Sequence, residues 1–479
     1  MGRANSGERP PRGPSDPESE GKGFKPLVSI TPGHVTVVGG GLAGCEAAWQ
    51  LARAGHPVRL FEMRPGKGTG AHTGGGLAEL VCSNSLKSVE LHNAHGCLKA
   101  ELELLGSLLI EAAELCRVPA GAALAVDRKL FSAEVERRLT AHPLIVVVRE
   151  EVTEPPEAPA ILATGPLTGP TLMGRLEEEL GRGRLFFHDA TSPVVTAESL
   201  DSRKIFPAGR HGRGDDYLNV GMSAEAYESF YRNLLTLPRA PVHAVDGEIA
   251  GDNFAVFEGC LPLEVLAERG RDALRFGPLR PVGLRRPDTG ESFHAVIQLR
   301  AEDRGKTRYS LVGCQTRLTP PAQRTLLRSL PGLERVEFVR YGRMHRNGYL
   351  DGPALLEASL ELRGWPGVFV AGQLSGAEGY VEAVATGLLA GKNLVRRLSG
   401  EEPLVPLRET VLGGLVRTLS GADRCYEDDP PCPVNANFGL LPPLSTLVRG
   451  KMDRRMALAH RALAAMRAFK WRIEPCGTP

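Results

Sequence analysis

The clearest chemical signal in this sequence is a cluster of glycines that follows a short β-branched run. The cluster reads Gly39, Gly40, Gly41, Leu42, Ala43 and Gly44. In a turn of the form Gly-x-Gly-x-x-Gly, the first glycine allows a tight turn and the second admits a pyrophosphate to the backbone. The third lets a helix pack closely on a strand, and the helix N-terminus offers free N–H groups to phosphate. The cluster therefore predicts a dinucleotide site, with a purely structural glycine turn as the alternative.

A carboxylate and a later return to the same pattern refine this prediction. Glu62 is the last residue of the second predicted strand. Its spacing along the sequence from the glycine turn is close to that expected for a carboxylate that binds ribose. Arg64, the strand end at Gly165 and the segment Ala371-Gly372 resemble the split arrangement of flavoproteins with two dinucleotide folds. A plain NAD dehydrogenase would not need the return near the C-terminus. FAD is therefore the predicted cofactor.

The elements that must position these residues follow an α/β order. Residues 34–62 read as strand, glycine turn, helix and strand, and residues 98–116 predict one long amphipathic helix. Alternating strand-like segments follow, and a strand-then-glycine pattern typical of a dinucleotide-binding fold returns at 368–372. We therefore predict an α/β fold with a Rossmann-like FAD-binding domain, split in sequence, and an inserted α+β domain. The predicted parts are a disordered extension at 1–33, the first part of the FAD-binding domain at 34–190, the inserted domain at 191–335, and the second part with a basic C-terminal helix at 336–479.

Composition and cysteine usage narrow the class of protein. The chain has 479 residues, 42% hydrophobic and 24% charged, with a net charge of +2, which is ordinary for a globular protein. It holds no apolar run of about 20 residues that could cross a bilayer, and its N-terminus lacks the apolar core of a secretory signal. Nine cysteines without a CxxC pair predict reduced thiols in a cytoplasm and no metal site.

Several longer segments carry a family resemblance, in the expected order from about His34 to the mid-440s. They are Gly41–Trp49, Glu79–Leu86, Val118–Gly121 with Ala125–Arg128, Phe257–Pro262, Gly342–Asn347, Ala371–Gln373 with Glu378–Glu382, and Asn437–Pro443. Together they resemble the TrmFO family, folate-dependent tRNA uridine methyltransferases that are bacterial flavoproteins related to GidA (also called MnmG). The coverage makes a chance match improbable.

The resemblance implies a specific reaction. 5,10-Methylenetetrahydrofolate supplies a one-carbon unit, reduced FAD supplies electrons, and C5 of the T-loop uridine of tRNA (position 54) becomes methylated. NAD(P)H would regenerate the reduced flavin. Because the target base is folded into the T-loop, it must be extruded to be reached.

Two cysteines within the matching segments are the candidate catalytic thiols. Uracil C5 is a poor nucleophile until a group such as a thiolate adds to C6. Cys82 precedes the polar segment Ser83–Ser85, which predicts a turn or helix start that could lower the pKa of a thiol. Cys260 lies in a loop bounded by Gly259 and Pro262. A cysteine taken at random is more often buried and inert, and the sequence leaves open which of the two attacks uracil.

The resemblance also assigns two polar segments to the site. It places His345, Arg346 and Asn347 near folate and flavin, where Arg346 could pair with a folate carboxylate and Asn347 could bind the pterin edge; a solvated loop is the alternative. The second segment is a glycine-rich helix entry that can bring backbone amides to the flavin. Its predicted flavin-binding residues are Gly372, Gln373, Gly376, Glu378, Gly379 and Tyr380.

Two basic stretches could contact tRNA. One is the loop with Arg203, Lys204, Arg210, His211 and Arg213. The other runs from 449 to 472 and carries eight Lys or Arg against one acidic residue, which predicts a basic amphipathic helix. Three other functions compete with the methyltransferase: a GidA-like flavoprotein that modifies the wobble uridine of tRNA, a small-molecule flavin oxidoreductase, and a non-catalytic tRNA-binding flavoprotein.

Overall fold

The computed structural model describes residues 33–69, 71–181, 185–212, 214–241, 261–423 and 433–473, with backbone alone at 185–188, 345 and 346. Within these ranges the strands form four sheets. In chain order the strands are β1 Val35–Val38, β2 Val58–Phe61, β3 Ser85–Ser88, β4 Arg117–Val118, β5 Ala123–Val126, β6 Ile145–Val148, β7 Ala160–Leu162, β8 Leu185–Ala190, β9 Val194–Thr196, β10 Phe206–Pro207, β11 Tyr217–Met222, β12 Ala295–Ala301, β13 Arg308–Leu311, β14 Phe338–Arg340, β15 Met344–Tyr349 and β16 Val368–Val370.

Helices cover these sheets and connect them. In chain order they are α1 Leu42–Arg53, α2 Ala94–Leu104, α3 Leu108–Leu115, α4 Arg128–Ala141, α5 Pro170–Leu180, α6 Ala224–Thr236, α7 Leu263–Glu268, α8 Ala273–Phe276, α9 Pro320–Arg328, α10 Gly352–Leu355, α11 Tyr380–Leu398, α12 Val411–Leu419 and α13 Lys451–Ile473. None of the described helices is long and apolar enough to span a membrane.

The first sheet is parallel and has the order β16-β7-β1-β2-β6. Its strands are short runs of β-branched and aliphatic residues, as expected for a sheet that helices cover on both faces. Because all strands point the same way, their carboxyl ends meet at one edge. The glycine turn after β1, Glu62 after β2, the turn after β7 and Gly372 after β16 therefore lie at a common edge, where ligands bind in this fold.

The early and late parts of this fold meet where α1 crosses α11 with almost no space between the two backbones. A Cβ atom on Gly387 of α11 would overlap the backbone of Ala43 in α1. One turn further along α11, a Cβ on Gly391 would lie 3.0 Å from the carbonyl oxygen of Ala47. Small residues on both helices therefore permit a contact that larger side chains would prevent.

The larger second sheet is antiparallel, in the order β10-β11-β12-β13-β9-β14. Its hydrophobic core is separate from that of the parallel sheet and includes Tyr227 and Phe230 of α6. β14 of this sheet lies beyond the predicted boundary at 335. β8 pairs with β15 in a two-stranded sheet that joins the two predicted parts of the FAD-binding domain. The division into domains stays a prediction.

One predicted helix is two helices. The segment 98–116 was expected to be continuous, but α2 ends at Leu104 and α3 begins at Leu108, with Gly106 between them at φ +77°. The buried carboxylate of Glu46 explains the break, because it accepts hydrogen bonds from the hydroxyl of Ser107 at 2.7 Å and from two backbone N–H groups of α3. A long-range helix cap of this kind has no local sequence signal.

The predicted disordered extension lies outside the described residues, apart from Gly33. The C-terminal helix is confirmed: α13 buries an apolar face on the rest of the protein and contacts α2 through the Cys97 thiol, 3.9 Å from the carbonyl oxygen of Ala459.

The contact between α1 and α11 leads to a stability prediction. Gly387→Ala should lower the free energy of unfolding by about 1–3 kcal/mol, because the new methyl group forces the two helices apart. Gly174→Ala is the matched control. Gly174 lies in α5, and no atom is within 4 Å of the position that its new methyl group would take, so alanine should stabilise by about 0.5–1 kcal/mol. Urea unfolding measures both; equal effects would contradict the close packing.

Candidate active site

A cavity of about 450 Å³ opens at the carboxyl edge of the parallel sheet and extends to the antiparallel sheet. Most of the residues predicted from the sequence line it. These are Gly39, Gly41, Leu42, Ala43, Glu62, Arg64, Cys82, Gly165, Asn347, Gly372, Gln373, Glu378, Gly379 and Tyr380. The fold thus brings residues from distant parts of the chain to one cavity.

The remaining predicted residues lie elsewhere or cannot be placed. Gly40 and Gly44 lie behind the turn, and Gly376 ends a short 3₁₀ helix at φ +87° beside Tyr349. His345 and Arg346 belong to β15, where His345 is paired with Asp189 of β8, and only their backbone is described. Cys260 lies outside the described residues.

The glycine turn has the geometry that a pyrophosphate needs. Gly39 has φ +109°, and a Cβ on Gly44 would overlap the carbonyl oxygen of Gly39, so both positions require glycine. A Cβ on Gly41 would meet no atom within 4 Å, because this residue faces the open cavity. The first turn of α1 has no side-chain cap and no acidic residue. Its N–H groups therefore suit the phosphates of FAD.

Glu62 is held in place at the end of β2 by its neighbours. Its carboxylate accepts bonds from the Arg64 side chain at 2.9 and 3.0 Å and from the backbone N–H of Gly40 at 3.0 Å. Arg64 also binds Glu79 at 2.8 Å. Burial opposes ionisation of Glu62, but the hydrogen bonds and charge of Arg64 outweigh it and lower the pKa of the carboxyl. An ionised, oriented carboxylate at this point suits the ribose hydroxyls of a dinucleotide.

Cys82 lies in the cavity wall beside Tyr380, the first residue of α11. The hydroxyl of Tyr380 accepts hydrogen bonds from the backbone N–H groups of Cys82 at 2.8 Å and Ser83 at 3.1 Å. The Cys82 thiol donates to Oδ2 of Asp189 at 3.5 Å. These contacts fix the thiol beside a carboxylate that could receive its proton.

The expected effect on the thiol was wrong in direction. Residues 83–85 do not start a helix but lead into β3, so the helix start predicted after Cys82 is absent. Burial first, and then the neighbouring carboxyl groups of Asp189 and Glu378, raise the pKa of Cys82 well above its usual range. The thiol is therefore the resting form, and attack requires a base.

The segment 80–84, which carries Cys82, is held by three arginines from separate elements. Arg128 of α4 and Arg340 of β14 donate to its carbonyl oxygens over distances of 2.7 to 3.3 Å. Arg300 of β12 donates to its two polar side chains at 2.7 and 2.8 Å. Sequence analysis missed all three, because they are isolated arginines far apart in the chain.

A group of ionisable side chains completes this end of the cavity. Burial, and then the carboxylates of Asp189 and Glu382, raise the pKa of Glu378 well above its usual range, which favours its neutral form. Glu378 also accepts a hydrogen bond from the side-chain amide of Gln373. Glu382 also contacts His95, whose Nε2 lies 3.1 Å from a carboxylate oxygen of Glu382. The same Nε2 lies 3.1 Å from Nζ of Lys87, and Lys87 lines the cavity.

The wall opposite the glycine turn comes from the antiparallel sheet. Ser310, Leu311, Val312 and Gly313 at the end of β13 line the cavity together with Asn347, which is 4% exposed. The cavity therefore offers a phosphate end at the glycine turn and a thiol end at Cys82. This arrangement fits FAD, whose pyrophosphate the glycine turn would hold and whose ribose Glu62 would bind.

Comparison with known proteins gives the same assignment. The family model described as "Glucose inhibited division protein A" matches residues 34–402. The solved structure of GidA from Aquifex aeolicus (crystal form II) superposes with a TM-score of 0.63, covering 93% of this chain and 74% of that chain. At 17% identity this likeness establishes the fold alone, and it confirms the predicted Rossmann-like α/β fold.

Curated relatives are much closer in sequence. A Moorella thermoacetica protein named methylenetetrahydrofolate--tRNA-(uracil-5-)-methyltransferase TrmFO is 52% identical over 431 residues, which cover 90% of this chain and 96% of that protein. The protein of the same name from Geobacter sulfurreducens is 52% identical over 437 residues, covering 91% and 98%. The chain therefore belongs to the TrmFO family, within the wider family of glucose inhibited division protein A.

Proposed function

We propose that this protein methylates C5 of the T-loop uridine of tRNA, with 5,10-methylenetetrahydrofolate as carbon donor and reduced FAD as electron donor. The observation that carries the proposal is a cysteine held at one end of a dinucleotide cavity in a chain 52% identical to proteins named for this reaction. NAD(P)H as the reductant of FAD, and a cytoplasmic location beside tRNA, complete the proposal.

The proposed reaction conserves atoms and electrons. Uridine loses the hydrogen on C5 and gains a methyl group, and the folate leaves as tetrahydrofolate. When bound, FAD in its reduced form supplies the two electrons that bring the carbon from the methylene to the methyl oxidation level. Uridine C5 can react only after a nucleophile has added to C6, and this is the step that a cysteine of the protein would perform.

We assign the residues around Cys82 to the preparation of that thiol. Asp189 accepts the thiol proton, because its carboxylate oxygen lies 3.5 Å from the sulfur. Tyr380 fixes the backbone of the cysteine through two hydrogen bonds, and Arg128, Arg300 and Arg340 hold the segment around it. Cys260 is the second candidate thiol, and the proposal leaves open which of the two attacks uracil.

The polar residues of β15 are assigned to the substrate. Asn347 is buried in the cavity wall and has an amide that suits the pterin edge of the folate. His345 and Arg346 lie in the same strand, and Arg346 is proposed to pair with a folate carboxylate.

The three alternative functions account for fewer of these observations. A small-molecule flavin oxidoreductase has no need of a cysteine fixed by Tyr380 and Asp189. A GidA-like wobble-modifying enzyme would share the fold, but the relatives that match along nine-tenths of the chain bear the name of the uracil-5-methyltransferase. A non-catalytic tRNA-binding flavoprotein would bind the RNA and leave it unmethylated.

The direct test is a methylation assay on a T-arm minihelix with purified, flavin-containing protein. Methyl transfer should require methylenetetrahydrofolate together with NADH or NADPH, because the carbon and the electrons come from different donors. S-Adenosylmethionine should not replace the folate. Methylation supported by S-adenosylmethionine, or modification of a wobble uridine in place of the T-loop uridine, would contradict the proposal.

The role of Asp189 leads to a pH prediction. Burial first and then Asp189 raise the pKa of Cys82, so Asp189→Asn removes a negative charge and should lower that pKa. At a fixed pH below the pKa, the thiolate fraction and the rate of alkylation of Cys82 by iodoacetamide should therefore increase. Methyl transfer should nevertheless decrease by about 10²- to 10⁴-fold because the base is lost.

Two controls make this test specific. Asp201→Asn changes a partly buried carboxylate that does not line the cavity and is paired with Arg203 at 2.9 Å, and it should alter neither measurement. Cys82→Ala gives the background of the alkylation assay. An alkylation profile of Asp189→Asn that coincides with that of the unsubstituted protein would remove Asp189 from the preparation of the thiol.

A further inference from the structure

The two basic stretches of the chain differ in whether their charges are free. In the loop at 203–213, Arg203 is paired with Asp201 at 2.9 and 3.0 Å and Lys204 with Glu334. Arg210 points inward and donates to backbone carbonyl oxygens at 2.6 and 3.0 Å and to a glutamine side chain. These three cations already have partners within the protein, which leaves them less available to RNA. Arg213 lies outside the described residues.

Three cations of α13 have no such partners among the described residues, whereas Arg461 of the same helix donates to two backbone carbonyl oxygens. Arg454, Arg467 and Arg472 are exposed, and none of them forms an ion pair with a described residue. The same helix also exposes Trp471, whose side chain is 81% accessible. Arg454 lies in the first turn, where the helix dipole disfavours positive charge. The helix itself therefore does not stabilise this positive charge, which stays available to a ligand of opposite charge.

The position of α13 relates it to the cavity. Near its middle, the carbonyl oxygen of Ala459 lies against Cys97 of α2, two residues from His95, which contacts Lys87 on the cavity wall. Near its end, the carbonyl oxygen of Arg472 accepts a hydrogen bond from Arg396, in the last turn of α11. Since α11 begins at the cavity with Tyr380, α13 extends away from the cavity beside it.

The dimensions fit a macromolecule and exceed those of a cofactor. A helix of 23 residues is about 35 Å long at 1.5 Å per residue. The exposed arginines are distributed over most of that length, from Arg454 to Arg472. A ligand that contacts them while it reaches the cavity must carry negative charges at regular intervals over tens of ångströms, as a nucleic-acid backbone does.

We propose that the exposed surface of α13, with Arg454 and Arg472 on one border and Arg467 on the other, binds the phosphate backbone of the tRNA arm that carries the target uridine, while the base itself enters the cavity. This inference rests on the proposed function, because it takes tRNA as the substrate. The loop at 203–213 then contributes far less to RNA affinity than its composition predicts.

The test compares two triple variants that each remove three positive charges. The first is Arg454→Ala, Arg467→Ala, Arg472→Ala; alanine is the best helix former, so α13 should be preserved. Binding of a T-arm minihelix, measured by fluorescence anisotropy, should weaken about 10- to 100-fold near physiological salt. The slope of log affinity against log salt should fall by about three, one for each phosphate contact. KM for RNA should rise while kcat at saturating RNA is retained.

The matched control is Arg203→Ala, Lys204→Ala, Arg232→Ala, in which each cation is paired with a carboxylate. This variant should bind RNA as the unsubstituted protein does. Unchanged binding by the α13 variant, or equal weakening by both variants, would overturn the inference while the methyltransferase proposal stands. Absence of tRNA binding by the unsubstituted protein would refute the proposed function itself.

Discussion

The close approach of α1 and α11 is the constraint on which the site depends. Gly387 and Gly391 let the backbone of α11 lie against Ala43 and Ala47 of α1. This contact joins the early and late parts of the parallel sheet, so that the glycine-rich entry of α11 faces the glycine turn after β1. Tyr380, the first residue of α11, then reaches across to hold the backbone of Cys82. One packing contact therefore sets both the phosphate end and the thiol end of the cavity.

The polar interior is organised in a similar way, by buried ionisable side chains that each fix a chain segment. Glu62 and Arg64 orient the loop after β2, and Glu46 and Glu101 accept hydrogen bonds from the N-terminal N–H groups of α3 and α12. Such groups are costly to bury unless their hydrogen bonds are satisfied. At Cys82 the balance is different, because burial first and then neighbouring carboxyl groups raise the pKa of the thiol. The surroundings favour a resting thiol that is activated by transfer of its proton.

Much of the fold could be predicted from local patterns. The glycine turn, the strand that ends at Glu62, the late return at 368–372 and the basic helix α13 each have a sequence signal, and the structure has them close to the expected positions. The break between α2 and α3 has a local signal in Gly106 and the N-cap Ser107 that the prediction did not use. Its other part, the Glu46 carboxylate, lies more than one element away and has no local signal. Asp189 and the arginines around Cys82 were missed for the same reason. Residues 83–85 alone predicted a lowered pKa for the Cys82 thiol. The pKa is raised, because burial and carboxyl groups from distant parts of the sequence decide it.

The most direct measurement follows the carbon itself. The protein would be reduced anaerobically, mixed with a T-arm minihelix and methylenetetrahydrofolate labelled with ¹³C at the methylene carbon, and the RNA nucleosides would be examined by mass spectrometry. We expect a methylated T-loop uridine that carries the label, with one flavin oxidised for each methyl group formed. An unlabelled methyl group, or labelled product without oxidation of the flavin, would contradict it.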